Sequence, residues 1–421
     1  MIRKTGKYSW QRFLGDCGGG VIAALIALPY GLSMAALMHL PPVLGVITSI
    51  LTAPITAILG RNPVLIGGTA SVTVPFIASA VRAQGIGGAA KVSIVASVLM
   101  MAFCVLRLGR HVSRVPASVV AGFSAGIGGI MVISQLNVIF GVTAPGGDNS
   151  LAQLVAILRD LPNSHLEALL LGSIVIGAAA LSTRWAPLLP APLIGVALSG
   201  MVAQLFRFHV AEVGSLQLAL PPFVGFSWSP DDVMRVLPSG LALAFVTSVN
   251  LLLTSRVVEH FRGRHQNLKR SDADAELGAY GIANLCAGIF GAPMSVGIPA
   301  RSLANVRCGG TSRISNILHA VFLFALVRLG SGVLAHIPLV ALAGVTAWMG
   351  LCLLDWGAWR RLAKMRPVDS GAFLLTAVGV LVVNAVAAVV IGCSLYGVRY
   401  LYRRHVRPSP QMSEVAAGMA D

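Results

Sequence analysis

The sequence predicts an all-α membrane protein that crosses the bilayer many times. Hydrophobic residues make up 56% of its 421 residues and only 11% are charged, whereas soluble domains carry about 25% charged residues. The mean hydropathy is +0.81. Apolar runs long enough to cross the hydrocarbon layer as helices, which takes about 20 residues, recur along the whole chain. This composition excludes both a soluble enzyme and a disordered chain.

Fourteen apolar segments can be delimited. Their approximate limits are 16–38, 42–60, 65–80, 90–108, 115–140, 166–182, 188–206, 237–258, 277–291, 297–306, 314–327, 333–354, 369–383 and 384–401. With the N-terminus placed in the cytoplasm, roughly four times as many Lys and Arg residues fall inside as outside, which satisfies the positive-inside rule. The excess of Lys and Arg in the cytoplasmic loops therefore explains the net charge of +16, and nucleic acid is not an expected partner.

The segments divide into two halves of seven. We expect a cytoplasmic lead (1–15), a first repeat (16–206), an extracytoplasmic connection (207–236), a second repeat (237–402) and a short cytoplasmic tail (403–421). Because seven is odd, the second half is inverted in the membrane. The third segment of each half, which is the third and the tenth overall, is short and interrupted by Gly and Pro. Paired broken helices in inverted repeats indicate the binding site of a secondary transporter.

The third segment carries one candidate binding site. Two glycines precede Thr69, Ala70 and Ser71, which would begin a helix. The first N–H groups of a helix have no partner within it and, with the helix dipole, attract an anion. The Thr69 and Ser71 hydroxyls would add donors. Close packing of helices through small residues is the alternative interpretation.

The tenth segment carries the matching candidate. Gly297, Ala300 and Arg301 surround a second expected helix start, with Pro299 at its first position. A charged residue inside a membrane segment is costly and indicates a functional site. Arg301 would therefore raise the positive potential at this helix end. The alternatives are an arginine that reaches the cytoplasmic edge, or one that pairs with a structural carboxylate.

Two further helices carry polar residues that could reach this site. In the first segment, Pro29 would bend the helix and bring the Tyr30 hydroxyl inwards, although a simple packing kink explains the same pattern. In the eighth segment, Thr247, Asn250 and Thr254 are candidates for a coupling ion, since Asn250 and Thr254 share a helix face. A structural hydrogen bond between helices is the alternative for Asn250.

No catalytic, metal or cofactor site is predicted. The six cysteines lie far apart, and His39, His319 and His336 stand isolated in the sequence. The sequence contains no phosphate-binding loop of the ATPase type. The acidic residues Asp272, Asp274 and Glu276 are interpreted as stabilising the positive end of the ninth helix.

Five motifs in the same order resemble the SulP family of anion permeases and exchangers, over nearly the whole chain. The matching residues are Ala24–Leu32, Pro41–Gly45, Gly67–Ala70, Val115–Phe123 and Gly310–Ser315 with His319. The resemblance implies seven plus seven segments arranged as a core domain and a gate domain. It also implies an anion between half-helices three and ten, lined by Thr69, Ala70, Gly297, Ala300 and Arg301, with Tyr30 contributing.

Three residues depart from the family pattern. Tyr30 replaces a glutamine, Gly68 replaces a proline, and Asn250 stands where the family usually has a carboxylate. Asn cannot titrate, so coupling to protons or sodium is in doubt. We also expect no room for the family's regulatory STAS domain, because only about twenty residues follow Tyr402.

The function predicted from the sequence is therefore secondary transport of a small anion such as sulfate or bicarbonate. The expected partners are this inorganic anion and the lipid bilayer of the cell inner or plasma membrane, with both termini cytoplasmic; a homodimer stays open. Three alternatives stay open for the function: a transporter of uncharged, nucleobase-type solutes with the same architecture, a transport-inactive membrane subunit, and a channel.

Overall fold

A computed structural model describes residues 8–109, 116–142, 150–185, 191–214, 228–263, 272–383 and 385–406. Within these ranges the chain forms fifteen α-helices and two short β-strands. They are α1 (Trp10–Leu37), α2 (Pro42–Leu59), β1 (Gly67–Thr69), α3 (Val74–Val105), α4 (Ala117–Phe140), α5 (Ser150–Asp160), α6 (Leu166–Trp185), α7 (Ala191–Leu205), α8 (Pro230–Gly263), α9 (Ala273–Ile289), β2 (Ser295–Gly297), α10 (Pro299–Arg307), α11 (Arg313–Ala335), α12 (Leu339–Leu353), α13 (Trp356–Arg361), α14 (Pro367–Val382) and α15 (Ala385–Val406).

Local chemistry fixes many of the helix starts. The side chains of Ser9, Asp272 and Ser312 accept N–H groups of the first turn at 3.3, 3.0 and 3.2 Å. Such caps satisfy donors that have no partner inside the helix. Pro42 and Pro367 occupy first positions, where a missing N–H costs nothing.

The fourteen predicted segments all correspond to helical segments in the described part of the chain. Helix α3 supplies two of them, because Gln84 and Gly85 leave the helical conformation and Gly85 has a φ of +66°. A positive φ is readily adopted only by glycine, so the chain can turn here. Eight spans of the described chain are long and apolar enough to cross a membrane. The predicted all-α, multi-spanning fold class is therefore confirmed.

Several predicted limits differ from the observed helices. Helix α1 begins at Trp10 and α8 at Pro230, so both start six or seven residues earlier than predicted. The boundary near 327–333 is wrong, because α11 continues to Ala335 and Pro338 precedes α12. The prediction placed Arg328 in a loop, but its long side chain is exposed on α11 and can reach the membrane surface from there. Parts of the predicted lead (1–7), connection (215–227) and tail (407–421) lie outside the described residues.

The helices pack as two bodies. The first contains α1–α3, β1, β2 and α8–α11, and the second contains α4–α7, α12, α14 and α15. Helix α1 packs on α7 and α12 of the second body, and the turn before α3 contacts α4. Each half of the chain thus gives its first four segments to one body and its last three to the other. This arrangement has the two-domain form that the resemblance implies.

Candidate functional site

Two paired strands bring the broken segments together at the centre of the first body. Strands β1 and β2 are antiparallel, with Gly67 opposite Gly297 and Thr69 opposite Ser295. Each strand leads into its own half-helix, so the two N-termini face the ladder from opposite ends. At about 3.3 Å per residue, the three-residue ladder is roughly 10 Å long. The sequence predicted unwound backbone here but not this pairing.

The first helix start offers backbone donors that take no part in the helix's own hydrogen bonds. The N–H of Thr73 makes the first bond of the short turn, to the carbonyl of Ala70 at 3.2 Å. The amides of Ser71 and Val72 lie ahead of this bond, where a helix leaves donors without internal partners. Ala70 and Ser71 are each only 5% exposed. An anion at this point would therefore contact backbone N–H groups in a largely enclosed place.

The second helix start is more open. The N–H of Ser302 bonds the carbonyl of Ile298 at 3.1 Å, so the amides of Ala300 and Arg301 precede the first helical bond. Pro299 and Ala300 are exposed, whereas Gly297 is buried in the strand pair. The accessible wall of the site is therefore the side formed by Ala300.

Arg301 is a fully buried cation beside this helix start, with 0% exposure. Its Nη1 donates to Ser49 Oγ at 3.2 Å, and its Nη2 donates to the carbonyl of Ala27 at 3.4 Å. Its Cζ lies 4.8 Å from the ring centroid of Tyr30. All these partners are neutral. No described carboxylate lies within ion-pair distance of Arg301, so its charge is not compensated by any acid in the described part of the chain.

The two buried carboxylates of this body are satisfied elsewhere. Asp16 accepts the N–H groups of Thr311 and Ser312 at 2.7 and 3.1 Å. Glu276 accepts the N–H groups of Arg61 and Asn62 at 2.6 and 2.5 Å. Glu276 thus holds the loop before β1. Glu276 also lies in the first turn of α9, as predicted, and neither carboxylate neutralises the arginine.

Tyr30 links the arginine to the first helix start. Its ring packs on the guanidinium of Arg301, and its hydroxyl lies beside the side chain and backbone of Ser71. One phenol ring therefore separates the buried cation from the amides of this turn. The predicted site residues Tyr30, Ser71 and Arg301 form one cluster.

Thr69 takes a different role from the predicted one. Its hydroxyl is fully buried and donates to the carbonyl of Gly45 at 2.8 Å, so it is not free to bind an anion. It instead anchors β1 to α2. Gly297 is a close-packed strand residue, because a Cβ there would lie 3.0 Å from Leu65.

The three coupling-ion candidates lie apart from the arginine cluster. Asn250 lines an apolar cavity between α4, α8 and α15, together with Phe123 and Val389. Thr247 is fully buried and its hydroxyl has no partner among the described residues. Thr254 is 3% exposed. Within the described part of the chain no hydrogen bond joins these three residues to one another, and the cavity contains no described carboxylate.

Several polar residues that hold the site together were not predicted. Ser302 Oγ accepts the N–H of Ile66 at 2.9 Å, which fixes α10 to the start of β1. Asn284 bonds both backbone groups of Ser295, at 2.9 and 2.6 Å. Ser49 contacts Arg301. The only signal in the sequence was a polar residue inside an apolar helix, which does not reveal its partner.

Gly68 is required for the position of the arginine. A Cβ on this residue would collide with Nη1 of Arg301 and would lie 2.5 Å from Ser49 Oγ. We expect Gly68→Ala to displace the guanidinium and to weaken anion binding about tenfold or more. A loss of about 1.4 kcal/mol in binding free energy already gives that factor. Gly332→Ala is the matched control, because a Cβ there meets nothing within 4 Å. Titration of both purified variants with anion measures the effect, and equal affinities would contradict it.

The fold and site together define a class: a multi-spanning membrane transporter with two inverted halves and paired broken helices. The sequence profile described as the Sulfate permease family matches residues 13–376. The chain belongs to this family, whose members are permeases and not enzymes.

Relatives and solved structures agree with this assignment. The chain is 28% identical to bicarbonate transporter BicA of Synechocystis sp. (strain ATCC 27184 / PCC 6803 / Kazusa), over 98% of this chain and 74% of the relative. It is equally 28% identical to probable sulfate transporter Rv1739c of Mycobacterium tuberculosis (strain ATCC 25618 / H37Rv), with the same coverage of both chains. The solved transmembrane domain of a cyanobacterial BicA superposes with a TM-score of 0.80 and 26% identity, covering 91% of this chain and 99% of that one. The SLC26A9 structure shares the fold, with a TM-score of 0.84 and 19% identity, over 95% and 67% of the two chains.

Proposed function

We propose that this protein is a secondary transporter of a small oxyanion of the sulfate or bicarbonate type. The observation that carries the proposal is the charge of Arg301, which is buried beside a helix start and is compensated by no described carboxylate. A buried ion without a partner costs several kcal/mol, so an anionic substrate would relieve a cost that a neutral substrate would leave in place. This favours an anion over a nucleobase-type solute.

The proposed site holds the anion mainly by backbone donors. Each helix N-terminus acts as roughly half a positive charge, and the guanidinium adds one, which gives about two in total. That sum matches a dianion and exceeds the charge of bicarbonate. The donors are the amides of Ser71, Val72 and Ala300, with the Tyr30 hydroxyl beside them. One relative is named a bicarbonate transporter and another a probable sulfate transporter, so both anions are candidates.

Uptake into proteoliposomes tests this function. We expect radiolabelled sulfate or bicarbonate to accumulate against empty-liposome controls, and labelled uracil to stay at the control level. Uptake of uracil without uptake of either anion would favour the uncharged-solute alternative. Single-channel currents in planar bilayers would favour a channel, since a carrier gives none.

The cavity around Asn250 suggests that transport needs no cation. Its other lining residues are apolar and it has no described carboxylate, so it offers no charge for sodium or a proton. We expect initial rates of sulfate uptake to change less than about twofold between sodium and choline media, or between about pH 6 and 8. Sulfate keeps its charge over this range, whereas an unperturbed histidine would titrate near 6.5. Asn250→Asp should introduce such a dependence. Steep stimulation of the parent protein by a sodium gradient would refute the idea and implicate Thr247, Asn250 and Thr254.

We also propose the topology of the chain in the cell membrane. The excess of Lys and Arg in alternate loops supports cytoplasmic termini. The two repeats (16–206 and 237–402) would then lie in opposite orientations around the connection at 207–236. Labelling of single cysteines placed on either side of the membrane would measure this arrangement.

A further inference from the structure

A short basic segment joins α12 to α14. It consists of α13 and the turn that follows it. Four Lys and Arg residues fall within seven consecutive positions of this segment, and the side chains of all four are exposed. They are Arg360, Arg361, Lys364 and Arg366. The proposed transport site uses none of them.

Two exposed tryptophans accompany these cations. Trp356 is 56% exposed and Trp359 is 37% exposed, although both rings are large and apolar. Trp356 satisfies its only polar group, because its ring N–H donates to the carbonyl of Leu351 at 3.1 Å. Tryptophans are typical of the membrane interface, where one end of the ring is apolar and the other is polar. The positive-inside rule explains cations on one side of the membrane, but not tryptophans among them.

The six residues form one feature, which we call the α13 patch. Its members are Trp356, Trp359, Arg360, Arg361, Lys364 and Arg366.

The packing of α13 places it beside two spans and not beyond their ends. Ala358 is buried in one apolar cluster with Ala125 of α4 and Phe373 of α14. The Trp359 ring meets the Phe373 ring edge to face, with centroids 5.0 Å apart. Phe373 lies six residues after the first residue of α14, which is about 9 Å along the helix. Helix α13 therefore lies at the depth where lipid headgroups surround the ends of the spans.

Most of the cations in the patch have no acidic partner in the described part of the chain. The two acids of this stretch are Asp355, which caps the first turn of α13, and Asp369, which lies 3.5 Å from Arg366. No described carboxylate lies within ion-pair distance of the other three cations, which are Arg360, Arg361 and Lys364. Three exposed charges are therefore open to an anionic group from outside the chain.

We propose that the α13 patch binds the anionic headgroups of membrane phospholipids. Clusters of four or more Lys and Arg residues directly beside a span attract anionic lipids, and each cation near the surface strengthens binding about fivefold. The tryptophan rings would lie among the upper parts of the acyl chains. Because rings and cations share one surface, the occupant is a lipid and not a soluble phosphate. A bound headgroup would anchor the second body to this leaflet.

Lipid binding to the detergent-solubilised protein tests the proposal, with native mass spectrometry as the measurement. The probe is phosphatidylglycerol, which is anionic, and its neutral competitor is phosphatidylcholine with the same acyl chains. We expect the parent to prefer phosphatidylglycerol about tenfold or more. A triple variant with Arg360→Gln, Arg361→Gln and Lys364→Gln should reduce this preference to about twofold or less, since three contributions of about fivefold are lost.

A matched variant controls for overall charge. Arg82→Gln, Arg159→Gln and Arg328→Gln together remove three exposed cations from α3, α5 and α11, so the net charge falls equally. This control should keep the preference of the parent. An equal loss in both triple variants would show that net charge and not the patch attracts the lipid, which would overturn the proposal.

A last comparison separates a lipid from a free anion. Inorganic phosphate should displace no more phosphatidylglycerol than chloride does at equal ionic strength. Specific displacement by phosphate would assign the patch to a soluble anion and refute a lipid site, as would a parent protein that binds the two lipids equally. None of these outcomes depends on which anion the protein carries.

Discussion

Arg301→Met is expected to abolish anion binding and to leave the anion-free protein at least as stable as the parent. The guanidinium is fully buried, yet its described partners are only a hydroxyl, a carbonyl and an aromatic ring. An apolar side chain of similar length removes the desolvation cost of the charge. Replacing buried charges with apolar residues is often neutral or stabilising.

The loss of binding should be large. Removing one member of a buried, hydrogen-bonded charge pair costs about 2–5 kcal/mol, which corresponds to at least roughly 30-fold weaker binding. Anion titration and thermal melts of the same purified samples measure both effects. Arg301→Lys should also bind poorly, because an ammonium cannot present two donors and a planar face to Ser49, Ala27 and Tyr30 at once.

Two results would count against this explanation. Unchanged affinity for sulfate, bicarbonate and chloride in Arg301→Met would remove the arginine from the site. A variant that no longer folds would show that the charge is structural. This would favour the alternatives in which the arginine reaches the cytoplasmic edge or pairs with a structural carboxylate.

Ala300→Trp is expected to block transport almost completely while the protein still folds. Ala300 is exposed at the second helix start, so a large ring meets no packed core but fills the place where the anion would contact the backbone. Ala180→Trp is the control for bulk, because Ala180 is exposed on α6 in the other body. Initial rates of anion uptake are compared at equal amounts of reconstituted protein.

The same experiment separates bulk from hydrogen bonding. Thr69→Val removes a hydroxyl that already bonds the carbonyl of Gly45, so it should cost about 1 kcal/mol of stability and affect transport far less than Ala300→Trp. A Thr69→Val variant that is as inactive as Ala300→Trp would mean that the hydroxyl, not the helix end, binds the anion.

The sequence predicted the parts of the fold that depend on local pattern. The lengths of the apolar runs located the segments, and the Gly- and Pro-rich interruptions near Gly68 and Pro299 located the two broken helices. The break at Gly85 inside α3 also fell between two predicted segments. These features can be predicted from the composition of one stretch of chain and the thickness of a bilayer alone.

The contacts that build the site could not be predicted in the same way. Thr69 bonds Gly45, Ser302 bonds Ile66, and Arg301 bonds Ser49 only after distant segments come together. A hydroxyl or imidazole in an apolar helix indicates that a partner exists but not which one. One helix limit failed because a charged residue was taken to mark a loop. Arg328 is exposed within α11, and a long charged side chain can extend to the membrane surface from inside a helix.

The proposed anion site lies at the two helix starts beside Arg301, whose charge no described carboxylate compensates. Crystals grown with selenate, a sulfate analogue, test this site directly through the anomalous signal of selenium. We expect one peak within hydrogen-bond distance of the amides of Ser71 or Ala300, close to Tyr30 and Arg301. A peak elsewhere in the membrane region, or a structure in which Arg301 pairs with a carboxylate, would contradict it.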